Sequence, residues 1–285
     1  MSEPGRAAAE RDEVRTGHHF RDVAFSPVAI VLLLLLGGGA AVGGSIALGT
    51  PGAAGGAGLV LVLWLMITAV VAHGRARTEF FSAYAAERGL QWTRRGSVPA
   101  ATELLRRGDS RRADEHLRGK LPGGLDGELA LYTYEERERS ADGQQAVEYH
   151  HFTVVIARLP ESAPQIPALY VQRRFGFRFL DGAEDVFRET KRVELESERL
   201  DQRCEIFAAP ACDDNWLRQL FSPSFVVFLA EETPEGFAFE IEDDVLCVNV
   251  RRHKHKAREL DELCEGASRV AERIREELAE EAPAR

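Results

Sequence analysis

Cysteine is scarce in this chain and poorly spaced for chemistry. Among 285 residues there are four, Cys204, Cys212, Cys247 and Cys264. None forms a C-x-x-C pair and no zinc-type spacing occurs, which excludes the common redox and structural-zinc motifs. In a domain of this size such residues are expected to be small buried hydrophobes, and unpaired thiols fit a reducing compartment. Nucleotide and nucleophile motifs are missing too. There is no P-loop and no G-x-G-x-x-G, and no G-x-S-x-G. Gly37-Gly38-Gly39 sits inside an apolar run, where it cannot cradle phosphate.

Charge is absent from Pro27 to Ala72. The first part of that run, Pro27 to Leu48, is about as long as the 20 residues that a helix needs to cross the hydrocarbon core. Ser26 is a good N-cap and Pro27 suits the first helical position. The preceding 25 residues are long and mixed in charge, unlike the compact start of a signal peptide. A second apolar segment runs from about Gly55 to Ala72, with Trp64 in its middle. The link Gly49-Thr50-Pro51-Gly52-Ala53-Ala54 is short, uncharged and turn-forming, so the two segments are expected as an antiparallel hairpin. Gly39 and Gly43, and Ala40 and Gly44, put small residues on one helix face, where backbones can pack closely. Arg6, Arg11, Arg15 and Arg21 precede the first segment, and Arg75 and Arg77 follow the second. The positive-inside rule then places both termini in the cytoplasm of a multi-pass cell-membrane protein.

The net charge of −10 argues against a general nucleic-acid binder. Residues 94–120 run the other way, with Arg94, Arg95, Arg106, Arg107, Arg111, Arg112, Arg118 and Lys120. This stretch is expected to be part helix and part loop, and to be either a solvated basic face or a contact for anionic lipid. Before it, Phe80, Phe81, Tyr84 and Ala85 recur at helical spacing, so the second apolar helix should continue and stop at Gly89.

Strand signals begin near Glu128. Leu129–Glu135 and Val147–Leu159 flank Asp142-Gly143, a hairpin turn signal. Ala168–Arg173, Phe175–Phe179, Val193–Leu195 and Cys204–Ala208 also read as extended, and Ala183–Phe187 as a helical turn. A short helix fits Asp213–Phe221, capped by Asp213 or Asp214 and ended by Ser222-Pro223. The continuously apolar Phe225–Ala230 is expected as a buried strand. Phe237, Phe239 and Ile241 alternate with Ala238, Glu240 and Glu242, which predicts a strand with one wet face. Asp243-Asp244 turns into Val245–Val250. The period of Leu260, Leu263, Cys264, Ala267, Val270, Ala271, Ile274 and Leu278 predicts a helix over Ala257–Glu281, with a Glu265–Arg269 pair. It would pack on the sheet or form a self-associating seam.

The expected architecture is α+β: a transmembrane helical hairpin, then a cytoplasmic antiparallel sheet packed by a long C-terminal helix. By region this gives a tail (1–25), the hairpin (26–73), a membrane-proximal helix with a basic linker (74–127) and the soluble domain (128–285). No catalytic, cofactor-binding or metal-binding residue stands out. His253 and His255 would share a strand face, but Arg251, Arg252, Lys254 and Lys256 around them repel a cation. His150 and His151 would point to opposite faces. Glu240, Glu242, Asp243 and Asp244 lack the pattern of a calcium loop. Ser222 and Ser224 flank a proline in a turn context.

The runs KRVELESERLDQRCEIFAAP, WLRQLFSPSFVVFLAEE and GFAFEIEDDVLCVNV resemble uncharacterised bacterial membrane proteins carrying a domain of unknown function. The resemblance spans about Phe80 to Glu281 and rests on Leu195-Glu196-Ser197, Glu205-Ile206-Phe207 and Phe221-Ser222-Pro223-Ser224-Phe225. It implies two early transmembrane helices and a terminal helix, and it brings no activity. The function expected is therefore a membrane-anchored cytoplasmic binding module without enzymatic activity. Its partners would be the bilayer through 26–73, anionic lipid through 94–120, and a protein partner or a second copy of itself. The alternatives are an accessory subunit of a membrane complex such as a transporter, and an enzyme whose site is assembled from distant strands.

Overall fold

A computed structural model describes residues 50–139, 145–162, 166–173, 190–195 and 197–281. The first apolar segment, the Asp142-Gly143 turn, Phe175–Phe179 and Ala183–Phe187 lie outside the described residues. The chain divides into two compact units, Met1–Tyr84 and Ala85–Arg285.

In the first unit the described residues belong to helix α1, Thr50–Arg88, whose last turn enters the second unit. The expected turn at Gly49–Ala54 is corrected here, because the chain is helical from Thr50 onward. Pro51 explains the difference: in a first helical turn its missing N–H costs no hydrogen bond. Leu59–Arg88 is the one helix among the described residues long and apolar enough to cross a membrane. Most of its large apolar side chains up to Val71 are exposed, including Leu59 at 71% and Val70 at 72%, whereas Phe80, Phe81 and Tyr84 are buried. The helix stops where expected. Gly89 is left-handed at φ 65°, the Leu90 N–H donates to Ala85 O at 2.9 Å, and Gly89 N–H reaches back to Ala86 O, a Schellman stop.

Among the described residues the second unit is built on one antiparallel sheet of nine strands. They are β1 (Gln91–Gly96), β2 (Ser110–Lys120), β3 (Asp126–Arg139), β4 (Gln145–Arg158), β5 (Ala168–Arg173), β6 (Lys191–Val193), β7 (Cys204–Ala208), β8 (Ala238–Glu242) and β9 (Val245–Arg251). Their order across the sheet is β1-β2-β3-β4-β9-β8-β5-β7-β6. The helices are α2 (Glu103–Arg106), α3 (Glu198–Arg203), α4 (Asp214–Leu220), α5 (Pro223–Val227) and α6 (Ala257–Glu281). β3 and β4 pair from Glu128 with Ile156 to Arg139 with Gln145. Beyond Glu135 and Phe152, where β2 and β9 stop pairing, they continue as a two-stranded ribbon.

Alternation gives the sheet two buried faces. One carries Leu129, Val155, Val248 and Ile241, and α6 packs against β4 and β9. The periodic residues read from the sequence, Leu260 to Leu278, are all buried. The opposite face holds Ala130, Tyr132, Tyr134, Phe152, Val154, Ile156 and Cys247, plugged by Leu104 and Leu105 of α2. All four cysteines are buried and unpaired.

Three expectations fail for physical reasons. Phe225–Ala230 is not a strand; it forms α5 and then a π-helical turn, Phe228–Glu232. Pro223 at its start favours a helix, and Phe225, Phe228 and Leu229 recur at helical spacing and are buried. The Glu265–Arg269 pair gives way to a longer-range contact. Arg269 binds Glu232 at 2.5 Å and stacks 3.9 Å over the Phe228 ring. The basic stretch is mainly strand, as β1 and β2, and its arginines meet carboxylates across the sheet. Arg106 binds Glu242 at 2.6 Å, Arg112 binds Glu135 at 2.6 Å, and Arg118 lies 3.3 Å from Glu128.

Within the second unit, Arg88 clamps Asp261 of α6 through two bonds, Nε to Oδ1 at 2.8 Å and Nη2 to Oδ2 at 2.5 Å. Planar two-point pairs exceed the usual worth of a surface ion pair. In a double-mutant cycle, Arg88→Ala and Asp261→Ala should couple by about 1 kcal/mol in urea unfolding, and less in high salt.

Candidate functional site

Two polar clusters lie against the sheet, the first closed over Thr133 but open to solvent at His151. The first gathers around Thr133, whose side chain has no solvent exposure. Its Oγ1 lies 3.1 Å from Asp114 Oδ2, 3.0 Å from His151 Nδ1 and 3.2 Å from His253 Nε2. Four separate elements supply these groups. Asp114 sits at a bulge where β2 shifts register against β3, and such a bulge re-aims a side chain. Thr133 and His151 are paired neighbours on β3 and β4, and His253 follows β9.

The bonding fixes the proton positions. A hydroxyl has one proton and two lone pairs. Asp114 can only accept, so the Thr133 hydroxyl donates to it and accepts from both imidazoles. His253 Nε2 also lies 3.2 Å from Tyr132 O, which likewise requires an N–H there. His151 thus carries its proton on Nδ1 and His253 on Nε2. The two rings meet edge to face, 4.8 Å between centroids. With every hydrogen-bonding position of its hydroxyl used and no access to solvent, Thr133 is not disposed to attack a substrate. The cluster braces β2, β3 and β4 to the segment that leads into α6. Thr153 extends the brace, donating to Arg252 O at 3.0 Å and accepting from the Lys254 N–H at 2.8 Å.

The second cluster lies on the opposite face. Glu240 and Glu242 stand two apart on β8, so both point at α2. Glu240 accepts the Leu104 N–H at 2.9 Å, and Glu242 accepts the Glu103 N–H at 2.6 Å. Glu242 also takes Arg106 at 2.6 Å and the Tyr170 hydroxyl at 3.1 Å. The expected wet face of β8 is therefore covered, and Glu240 is 3% exposed. Burial pushes its carboxyl up to about 8, against the pull of the Leu104 amide. Burial and the nearby Glu242 likewise raise the Tyr170 hydroxyl. This pair anchors a four-residue helix that plugs the core.

The histidines flagged in the sequence separate. β9 ends at Arg251, so His253 and His255 lie past the strand. Their rings are 6.2 Å apart and nearly perpendicular. Among the described residues no group of three or more His, Cys, Asp or Glu could hold a metal ion. His150 stacks on Tyr134 at 4.6 Å, on the face opposite His151. Asp243 and Asp244 turn β8 into β9, with Asp244 bound to Arg158 at 2.5 Å. Ser222 and Ser224 bond each other at 3.2 Å beside Pro223. Sequence spacing could not reveal the Asp114–Thr133–His151–His253 set. The pairing of four elements and a bulge create it, and its one local trace is two histidines, His151 within β4 and His253 two residues past β9.

No protein-family model and no curated protein matches the chain. Among solved structures it is similar to the crystal structure of the mycobacterial trehalose monomycolate transport factor A, TtfA, at 11% identity and a TM-score of 0.40. The match covers 74% of this chain and 97% of that one. Likeness of that degree carries no conclusion about this chain.

Proposed function

We propose that the protein is a membrane-anchored interaction module without enzymatic activity, held by a two-helix hairpin over 26–73 with both termini in the cytoplasm. The observation that carries this reading is α1, which between Leu59 and Val71 exposes most of its large apolar side chains. Exposing them to water forfeits about 25 cal/mol for each Å² of apolar surface, and a bilayer removes that cost. The polar clusters of the second unit support the non-enzymatic part, because their hydrogen bonds are spent on joining strands and holding α2. Anionic lipid and a protein partner or second copy are the contacts proposed for the domain.

Two measurements test this. Alkaline carbonate should leave the full chain in the membrane fraction; release into the supernatant would remove the anchor. A reporter fused after Arg285 should register in the cytoplasm, and an external signal would reverse the orientation. The role of accessory subunit to a membrane complex is the second reading. Co-purification of a membrane partner in mild detergent would favour it, and a lone monomer or homodimer would count against it.

A further inference from the structure

Residues 97–108 form a strap over the sheet face that carries Tyr132, with α2 at its centre. At one end Gly96 is the last residue of β1 paired with β2. At the other the Asp109 N–H donates to Glu135 O at 2.8 Å. Between these points the backbone hydrogen bonds stay within the strap, Arg106 N–H to Thr102 O and Arg107 N–H to Leu104 O. Side chains tie it down. Leu104 and Leu105 fill the core beneath, and the Tyr132 hydroxyl donates to Leu105 O at 3.2 Å. Thr102, the N-cap, makes no side-chain bond to the helix amides; Glu242 and Glu240 accept from them instead. A short segment held in this way can open while the rest of the fold stays closed.

The charges around α2 do not balance at Glu240. Glu242 has Arg106 at 2.6 Å, and Glu103 has Arg107 at 3.6 Å. Among the described residues Glu240 has no cationic partner. Tyr170 on β5 and Cys247 on β9 stand directly opposite it across the two ladders. Tyr132 on β3 and the carboxylates of Glu103 and Glu242 are its other titratable neighbours. A carboxyl enclosed by such groups keeps its proton, because burying an unpaired charge costs more. The single Leu104 N–H does not replace the hydration that a carboxylate would lose, and the group titrates at about 8. With the strap lifted, water reaches the carboxyl and it ionises near the ordinary 4.5. Closure is then most stable below that value, weakens as pH rises, and levels off above about 8.

We infer that residues 97–108 are a proton-operated latch: protonated Glu240 keeps α2 closed, and its ionisation favours release of α2 from the apolar sheet face that holds Tyr132, Phe152 and Cys247.

The test follows hydrogen–deuterium exchange of the full chain in detergent micelles from pH 5 to 8. Each amide's rate is compared with that of an unstructured chain at the same pH. The Arg106 and Arg107 N–H groups report the strap, because their bonds lie within it, and the α6 amides report the whole unit. Protection of the strap should fall about tenfold for each pH unit, with α6 better protected throughout by on the order of 100-fold or more. Glu240→Gln keeps an acceptor for the Leu104 N–H but cannot ionise, so its strap should hold the pH 5 protection up to pH 8. Glu240→Met is the second form without a charge, and α6 protection at pH 5 shows that each form is folded. Equal strap protection at pH 5 and pH 8 in the native chain overturns the latch. The native slope in a folded form without the charge overturns it as well. Equal protection of strap and α6 does so too, since Glu240 then ionises only when the whole unit unfolds.

Discussion

Replacing Glu240 by glutamine should stabilise the protein at pH 8 and leave it nearly unchanged at pH 5. The folded carboxyl titrates at about 8 because it is buried, whereas in the unfolded chain it titrates near its ordinary value of 4.5. Between those two values the folded state keeps a proton that the unfolded state has lost. Stability from this group is therefore greatest at low pH, falls as pH rises through that interval, and levels off above pH 8. The full loss is roughly 3–5 kcal/mol at one pKa unit per 1.36 kcal/mol. Glutamine keeps an acceptor for the Leu104 N–H but has no charge to bury. Urea unfolding of both forms from pH 5 to 9 should show curves that converge at the acid end and diverge toward pH 8. Parallel curves would mean that Glu240 does not carry the titration.

Replacing Thr133 by valine should be the most damaging single change in the other cluster. Valine matches threonine in shape but leaves Asp114, His151 and His253 facing a methyl group. A buried polar group that loses its partner costs about 1–3 kcal/mol; His151 is exposed to water, His253 retains Tyr132 O at 3.2 Å and Asp114 retains Arg112 at 3.0 Å, so about 1–2 kcal/mol in total is expected. NMR titration gives a second check. With the bridging hydroxyl gone, His151 should no longer show a fixed Nδ1–H tautomer, whereas His253 keeps its Nε2–H on Tyr132 O. An unchanged His151 tautomer with unchanged stability would remove Thr133 as the hub.

Much of the fold could be read in the residues, and the misses share a cause. α6 follows its apolar period from Ala257 to Glu281, and Cys204–Ala208 and Ala168–Arg173 match their expected bounds. A period reports one face against water, so it works where an element has one partner and one wet side. It fails at Phe225–Ala230, a short continuous apolar run that fits a strand or a helix equally. It fails again at β8. Glu240 alternates with phenylalanine and isoleucine as a surface residue would, but α2, more than a hundred residues earlier in sequence, covers it. The strand form of the basic stretch went unread for a similar reason. Carboxylates on other elements bind Arg106, Arg112 and Arg118, and no local pattern announces them.

For a protein held at a membrane, as proposed, the two outer strands of the described sheet have a consequence. An open sheet exposes a ladder of unpaired amides and carbonyls at each border, a template on which another chain can add. Crowding on a membrane multiplies such encounters. Here β6 offers three residues, too few to seed a stable ladder. β1 bears Arg94 and Arg95 on an exposed rim, and Arg95 turns left-handed at φ 57° just before the strand ends. That twist breaks the extended line that an incoming strand would need. Neither of these two borders therefore offers a long, straight template to a neighbouring copy.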